Sequence, residues 1–443
     1  MLSPTLNESY AETPYQGYSY SYPHKTAYRA FDVAKDVGDV WKNETLDSLF
    51  LYVHVPFCEM RCGFCNLFTT SGSGTDLVDE YLLAVERQMR SLHDHFERRN
   101  VTRFALGGGT PTFLSTTELD TLFSSARKFF GYDPTSTPSS VEVSPNTLDR
   151  GKLDFLREQK IDRISIGVQS FDRDEATALG RPQDPDEVTR SLEIIRNVGF
   201  ATLNIDLIYG AVGQSRDSWI RSIERALEFQ PEELYLYPLY VRPKTGLERK
   251  HDRLDPADLR LELYRAGRDF LRERGYSQVS MRMFRGPNAP DEGGPAYCCQ
   301  TDGMLGVGCG ARSYTADLHY SSRYAVGTTG VREILRDFVT NDEDDFARVD
   351  YGYALDDEDK RRRFLIQSLL QVEGIDRDAY GDLFGSKIDG DFPELAELQS
   401  LGLVSTRDQR IQLTDPGLEL SDRIGPKLYS RRVQERMKSY ALT

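Results

Sequence analysis

The chain has 443 residues, a net charge of −15 and 39% apolar residues, which is enough for two or three domains with a sizeable core. A chain this acidic repels phosphate backbones, so we expect no nucleic-acid partner. The sequence has no run of 18 apolar residues and does not start with a basic segment followed by an apolar one. These features predict no membrane span, no secretory signal and a cytoplasmic location.

The first 48 residues are rich in tyrosine and proline. Six tyrosines fall between positions 10 and 28. Because disordered segments are poor in aromatic side chains, this composition predicts an ordered arm that lies over a folded domain.

From 49 to 284, short β-rich runs alternate with amphipathic helical stretches. The predicted strands are LFLYVHV (49–55), RFAL (103–106), SVEVS (140–144), RISIGV (163–168), TLNIDLI (202–208), ELYLYPL (233–239) and QVSMRMF (278–284). The alternation predicts βαβ units, a parallel sheet and an α/β fold that forms a partial or complete (β/α) barrel. Such folds place their chemistry at the C-terminal ends of the strands.

The last third of the chain has a different pattern. Residues 285–349 are Gly-rich and predicted to be irregular, whereas 350–443 are mainly helical with one strand-like run, RIQLT. The sequence therefore predicts an arm (1–48), a core barrel (49–284), a substrate-covering lid region (285–349) and a small winged-helix-like C-terminal domain (350–443).

Half of the six cysteines lie within eight residues, directly after the first predicted strand. Cys58, Cys62 and Cys65 have the spacing C-x-x-x-C-x-x-C. Three thiolates suit a [4Fe–4S] cluster in which one iron has no cysteine ligand. The alternatives are a zinc site completed by His54 or a distant cysteine, and a chance cluster of core cysteines.

This spacing resembles the signature of radical S-adenosylmethionine (SAM) enzymes. The segments YVHVPFCEMRCGFCNLF, GGGTPTFL, VEVSPNTL, RISIGVQSF, LGRPQ and NIDLIYG are similar, in this order, to the oxygen-independent coproporphyrinogen III oxidase family and its haem-chaperone relatives. The resemblance implies that the three cysteines hold the cluster and that its electron cleaves SAM to a 5′-deoxyadenosyl radical. It also implies a small organic substrate and a flavodoxin- or ferredoxin-type electron donor.

The resemblance further assigns a SAM pocket to residues at or near the strand ends. The residues are Tyr52, Phe64, Gly108, Gly109, Thr110, Glu142, Gln169, Arg181 and Asp206. Glycines let a ligand approach the backbone, carboxylates suit ribose hydroxyls, and a guanidinium suits the methionine carboxylate. From the residue types alone, the glycines are equally a turn and Tyr52 is equally a core residue. A salt bridge at a barrel mouth is the alternative for each of the charged residues.

In the oxidase, a residue pair after the barrel lies near a second SAM, so the resemblance implies catalytic roles for Cys299 and Gln300 in "YCCQ". A buried, inert cysteine pair, Cys298 with Cys299, is the alternative. Cys309 is expected to pack in the core.

The chain also departs from the family pattern. Leu67 stands at the position of the oxidase's fourth cysteine, Arg312 replaces the histidine of a "GAHSY" motif, and residues 285–300 lack the chaperone signature. The first functional interpretation is oxidative decarboxylation of a propionate, as in the oxidase. The alternatives are methyl transfer with a second SAM, a haem chaperone, and a structural iron–sulfur protein.

Overall fold

The structure, a computed structural model, describes residues 14–96, 99–249, 258–290 and 303–440. Its strands are β1 (Arg29–Asp36), β2 (Leu49–Val55), β3 (Phe57–Cys58), β4 (Thr70–Ser71), β5 (Val101–Gly108), β6 (Ser139–Val143), β7 (Arg163–Gln169), β8 (Thr202–Tyr209), β9 (Glu233–Pro238), β10 (Ser277–Gln278), β11 (Met283–Arg285), β12 (Met304–Val307), β13 (Arg312–Tyr314), β14 (Leu318–Ser321), β15 (Arg348–Ala354), β16 (Ile375–Asp376), β17 (Val404–Arg407) and β18 (Arg410–Leu413). Its α-helices are Val37–Trp41, Thr75–His95, Thr116–Phe130, Arg150–Glu158, Arg173–Ala178, Pro185–Val198, Arg216–Leu227, Gly246–Arg249, Arg260–Glu273, Thr328–Thr340, Glu343–Phe346, Asp357–Leu369, Arg377–Phe384, Ile388–Asp391, Glu394–Ser400, Asp415–Glu419, Ser421–Lys427 and Arg431–Lys438.

Most of these strands form one large sheet, in the order β1-β15-β14-β13-β12-β2-β5-β6-β7-β8-β9-β11-β10. The run from β12 to β9 is parallel, and helices connect its successive strands from β2 onward. The sheet is open within the described residues, with β1 and β10 at its edges. The α/β fold with a partial barrel is thus confirmed.

The sequence explains why the central strands form. β7 and β8 are buried along most of their length. One face of each strand is apolar and packs in the core, whereas the other face carries polar residues such as Arg163 and Asp206. The helices that cover them have clear ends. Ser115 and Glu118 form a capping box at the start of Thr116–Phe130, and Gly131 ends that helix with a φ of 66°.

Two local predictions are wrong. The run QVSMRMF forms a hairpin of β10 and β11, and β11 pairs antiparallel with β9 instead of adding another parallel strand. The described part of the Gly-rich region is regular, since β12, β13 and β14 extend the sheet beyond β2. Gly306 permits this, because a Cβ there would lie 2.3 Å from the carbonyl oxygen of Arg312 on the neighbouring strand.

The C-terminal part is mainly helical, as predicted. It also contains a three-stranded antiparallel sheet in the order β16-β18-β17, in which β18 corresponds to the predicted run RIQLT. The arm packs against this domain. Tyr22 and Tyr28 are fully buried, and the Tyr22 hydroxyl donates to Asp359 Oδ1 at 2.6 Å. Among the described residues, no helix has both the length and the apolar character needed to cross a membrane.

Candidate active site

The three clustered cysteines lie in a loop at the C-terminal end of β2. Cys58 ends β3, which pairs in parallel with β4. Backbone hydrogen bonds fix the loop to two later segments, from Gly63 N to Gly180 O at 3.1 Å and from Leu247 N to Gly63 O at 2.9 Å. A Cβ on Gly63 would lie 2.8 Å from the carbonyl oxygen of Leu179, so this close approach requires glycine.

The thiols of Cys58, Cys62 and Cys65 line one cavity of about 160 Å³. Cys58 Sγ accepts from Thr110 Oγ1 at 3.7 Å, and Cys62 Sγ accepts from Arg181 Nη1 at 3.3 Å. Burial raises the pKa of Cys58 to about 12 and also raises the pKa of Cys62. Buried thiolates are poorly solvated, so a positively charged group in the cavity would stabilise them.

The same cavity collects most of the predicted SAM-binding residues. Those in its wall are Phe64, Gly108, Gly109, Thr110, Glu142, Gln169, Arg181 and Asp206. Tyr52 lines a second cavity of about 170 Å³, which shares Leu67, Gly108 and Glu142 with the first and therefore adjoins it. Cys299 and Gln300 lie outside the described residues.

The glycine strip at the end of β5, Gly108 and Gly109, lies so close to neighbouring segments that a side chain at either position would clash. A Cβ on Gly109 would lie 2.9 Å from Cys58 Sγ and 2.6 Å from the carbonyl oxygen of Phe57. Gly108 has a φ of 112°, and its Cβ would lie 2.5 Å from the His54 ring. The strip is therefore a place of close approach between the backbone and the thiol loop.

Two carboxylates face the cavity from β6 and β8. Glu142 Oε2 accepts from the backbone N of Gly108 at 2.9 Å, and Asn204 Nδ2 donates to Asp206 Oδ1 at 2.8 Å. Burial raises the pKa of Asp206 to about 7, although Asn204 and Arg163 lower it. Burial also raises the pKa of Glu142. Such shifts are common where a protein holds charge ready for a ligand.

Arg181 and Gln169 complete the polar wall. Arg181 Nη2 donates to Ser144 Oγ at 3.0 Å while its Nη1 reaches Cys62, so the guanidinium connects the thiol loop to the end of β6. Gln169 ends β7 with a φ of 69°, a left-handed conformation that non-glycine residues rarely adopt. Gln183 holds this turn, because its Nε2 donates to the carbonyls of Val168 and Ser170.

The two aromatic residues expected to bind SAM, Phe64 and Tyr52, pack against different apolar clusters. Phe64 packs against an apolar cluster that contains Leu179 and Leu247. Tyr52 packs against Met304 and neighbouring apolar residues, and its hydroxyl is 3.4 Å from His54 Nδ1.

The structure does not bring His54 to the thiols. Its Nε2 is 2.9 Å from the carbonyl oxygen of Phe68, and its ring lines the second cavity instead of the first. Within the described part of the chain, no three His, Cys, Asp or Glu side chains are grouped as a single metal ion needs. Cys309 is fully buried in the main core, as predicted.

Comparison with known proteins identifies the chain at the level of its domains. The model of the radical SAM superfamily matches residues 52–226, and that of the HemN C-terminal domain matches residues 355–420. The first range contains the thiol loop, the glycine strip and both carboxylates. The chain therefore contains a radical SAM domain followed by a HemN C-terminal domain.

Its relatives carry two different names. The chain is 29% identical to the oxygen-independent coproporphyrinogen III oxidase of Escherichia coli strain K12, over 91% of each chain. It is 26% identical to the heme chaperone HemW of Bacillus subtilis, over 84% of this chain and 97% of HemW. Among solved structures, Escherichia coli HemN matches with a TM-score of 0.77 and 25% identity, over 96% of this chain and 97% of HemN.

The cofactors of this radical SAM protein are SAM and a [4Fe–4S] cluster, and the geometry of the first cavity fits them. Three thiols lie on one wall, with raised pKa values at Cys58 and Cys62 that iron would offset. The other walls of this cavity carry the glycine backbone of Gly108 and Gly109, the carboxylates of Glu142 and Asp206, and the guanidinium of Arg181. These are the groups that suit an amino acid attached to a ribose.

Sequence reasoning missed two residues that shape this radical SAM site. Arg163 begins β7 with its side chain inside the barrel, where it pairs with Glu233 at 2.8 Å and lowers the pKa of Asp206. Gln183 fixes the turn after Gln169. The available signal for Arg163 was that it shares one face of β7 with the site residue Gln169, since alternate residues of a strand point to the same side.

Proposed function

We propose that this chain is an enzyme that uses SAM and a [4Fe–4S] cluster to abstract hydrogen from a small organic substrate. The reaction class that we favour is the oxidative decarboxylation of a carboxylate-bearing side chain, as in the oxidases that the chain resembles. When bound and reduced, the cluster supplies the electron that cleaves SAM to a 5′-deoxyadenosyl radical. A flavodoxin- or ferredoxin-type protein is the electron donor that we expect.

One observation carries this proposal. The three thiols of the loop and eight of the nine residues expected to bind SAM line a single cavity, although they come from five strand ends and the segments after them. A structural iron–sulfur site needs the thiols alone. It does not need a polar wall of two carboxylates and a guanidinium opposite them.

The residues of this wall then have distinct roles. Cys58, Cys62 and Cys65 hold the cluster. Arg181, which already donates to Cys62 and Ser144, lies where it can pair with the carboxylate of a bound amino acid.

The remaining polar groups act on the rest of SAM. Glu142 and Asp206 accept hydrogen bonds from amino or hydroxyl groups, and Gly108 and Gly109 allow the ligand to touch the backbone.

A haem chaperone is the second candidate. It is supported by the relative named heme chaperone HemW, of which this chain covers 97%. Under that alternative the protein keeps its cluster, binds haem stably and turns over little SAM. Methyl transfer with two SAM molecules is the third candidate, and its product differs from that of decarboxylation.

The test is an anaerobic turnover assay with reconstituted cluster, SAM and dithionite, with and without coproporphyrinogen III. We expect 5′-deoxyadenosine from the wild-type protein and none from Cys62→Ala. Its formation with decarboxylated porphyrinogen supports the favoured reaction, whereas S-adenosylhomocysteine supports methyl transfer. A fully loaded protein that makes no deoxyadenosine but binds haem tightly would reject the enzyme in favour of the chaperone.

A further inference from the structure

The second cavity is built partly from segments of the chain that do not line the first cavity. Its wall includes Lys25 of the arm, Arg312 of β13, and Arg323 and Tyr324, which follow β14. Leu67, Gly108 and Glu142 belong to both cavities, so a molecule in the second cavity lies next to one in the first.

The wall of this second cavity carries an excess of positive charge. The described lining holds three cationic side chains, Lys25, Arg312 and Arg323, against one carboxylate, Glu142, which accepts from Gly108 N. None of the three cations forms an ion pair with any residue that the structure describes. Arg323 is exposed, whereas the other two are largely enclosed.

Arg312 is the most unusual of these cations. Its Nη1 is closed to solvent and has no hydrogen-bond partner among the described residues. The groups that act on its charge most strongly are the phenols of Tyr314, Tyr28, Tyr52 and Tyr324, none of which is an anion at neutral pH. By contrast, the buried guanidinium of Arg163 faces Glu233 at 2.8 Å. An enclosed guanidinium without a carboxylate is costly unless a ligand supplies the anion.

Lys25 is held beside Arg312 by weak partners. Its Nζ donates to the carbonyl oxygen of Asn66 at 3.3 Å and lies 3.7 Å from the centre of the Tyr324 ring. Burial and the nearby charge of Arg312 both lower the pKa of Lys25. An anion between the two side chains would remove their mutual repulsion.

We propose that the second cavity binds a carboxylate group of the substrate, with Arg312 as the main contact and Lys25 as the second. This inference rests on the proposed function, because it places the substrate next to the SAM cavity. The guanidinium fork matches a carboxylate, and the apolar wall of Leu67, Phe68 and Met304 suits the carbon skeleton of an organic acid. A phosphate group shares this anionic chemistry, so the test must separate the two.

The test uses thermal unfolding of the protein loaded with cluster and SAM. The probes are sodium propionate, sodium phosphate and uncharged propionamide, at one ionic strength set with sodium chloride. We expect propionate to raise the unfolding midpoint of the wild type and propionamide to leave it unchanged. In Arg312→Gln, the propionate concentration that gives the same rise as in the wild type should be about tenfold higher or more, because a charged hydrogen bond is lost.

A control variant and a substitute variant complete the test. Arg190→Gln changes an exposed arginine of the helix Pro185–Val198 and should respond to propionate like the wild type. If Arg312→Gln does not fold, Lys25→Gln takes its place and should weaken the response in the same direction. Ligand-free Arg312→Gln should unfold at or above the wild-type midpoint, since it lacks an unpaired enclosed charge.

Three results would overturn the proposal. They are no midpoint rise with propionate, an equal rise in Arg312→Gln and the wild type, and a stronger response to phosphate than to propionate. The binding measurement needs no turnover. A protein that binds propionate through Arg312 but makes no deoxyadenosine would therefore reject the proposed function while the anion site stands.

Discussion

Asp206 offers the sharpest test of the electrostatics of the first cavity. Its carboxyl group lies in the cavity wall near a second acid, Glu142, and near the Arg163–Glu233 pair. Burial raises the pKa of Asp206 to about 7 from an ordinary value of 3.8. The ionised form is therefore disfavoured in the folded protein, and we predict that Asp206→Asn stabilises the protein without cofactors at alkaline pH.

The sign and size follow from proton binding. Between pH 6 and 8.5 the Asp206 carboxyl group is already deprotonated in the unfolded chain. In the folded protein the same group is protonated at pH 6 and loses its proton over this range. Folding stability therefore falls as the pH rises through 7. The folded protein holds this proton mainly below pH 7, so about one pH unit of the range contributes. With one pKa unit corresponding to about 1.4 kcal/mol, the loss amounts to about 1.4 kcal/mol. Asparagine does not titrate and can still accept from Asn204, so it should not show this loss.

The assay is urea unfolding of both proteins at pH 6 and pH 8.5, followed by the fluorescence of Trp219, which is fully buried in the barrel core. Every other titrating group is common to both proteins, so the difference between them isolates Asp206. Asp206→Asn should stabilise the fold but weaken SAM binding. The affinity for SAM should fall about tenfold or more, because a charged hydrogen-bond acceptor is lost. An equal pH dependence of the two proteins would refute the reasoning.

The remaining predictions concern packing. Gly109→Ala should lower the iron content of the reconstituted protein, because its Cβ would lie 2.9 Å from the nearest cysteine sulfur, whereas Gly390→Ala meets no atom within 4 Å and should keep it. Tyr22→Phe should lower the free energy of unfolding by about 1.5–3 kcal/mol in urea, because the buried carboxylate of Asp359 loses a donor, and should make the arm easier to cleave in limited proteolysis. Cys309→Ala should cost about 1–2 kcal/mol as a small cavity forms but leave the iron content unchanged, since this thiol is enclosed in the core.

The fold was most predictable where burial alone decides it. The runs at 163–168 and 202–208 differ from β7 and β8 by one residue at one end, because alternate aliphatic residues mark the buried face of each strand. The run at 278–284 failed because a turn inside it makes a hairpin. The strands within 303–321 were missed because glycines there permit close strand pairing instead of ending it.

The residues of the candidate site were also predictable only in part. Strand ends predicted which residues meet, since parallel strands bring their C-terminal ends to one edge. The sequence could not show that Gln169 adopts a left-handed φ, nor that Gln183 holds it there, because both depend on contacts between distant segments. Arg163 was hidden for the same reason, as its partner Glu233 lies 70 residues later.

The two cavities also differ in which parts of the chain build them. The SAM cavity is formed by the ends of the parallel strands and the segments after them, where the family motifs lie. The second cavity depends on β13, on the residues after β14 and on the arm, which brings Lys25 into place. The arm is fixed by the C-terminal domain, through Tyr22 to Asp359 and through the Tyr20 hydroxyl to the carbonyl of Leu370. Changes in the arm or the C-terminal domain can therefore reshape the second cavity while the thiol loop keeps its contacts with Gly180 and Leu247.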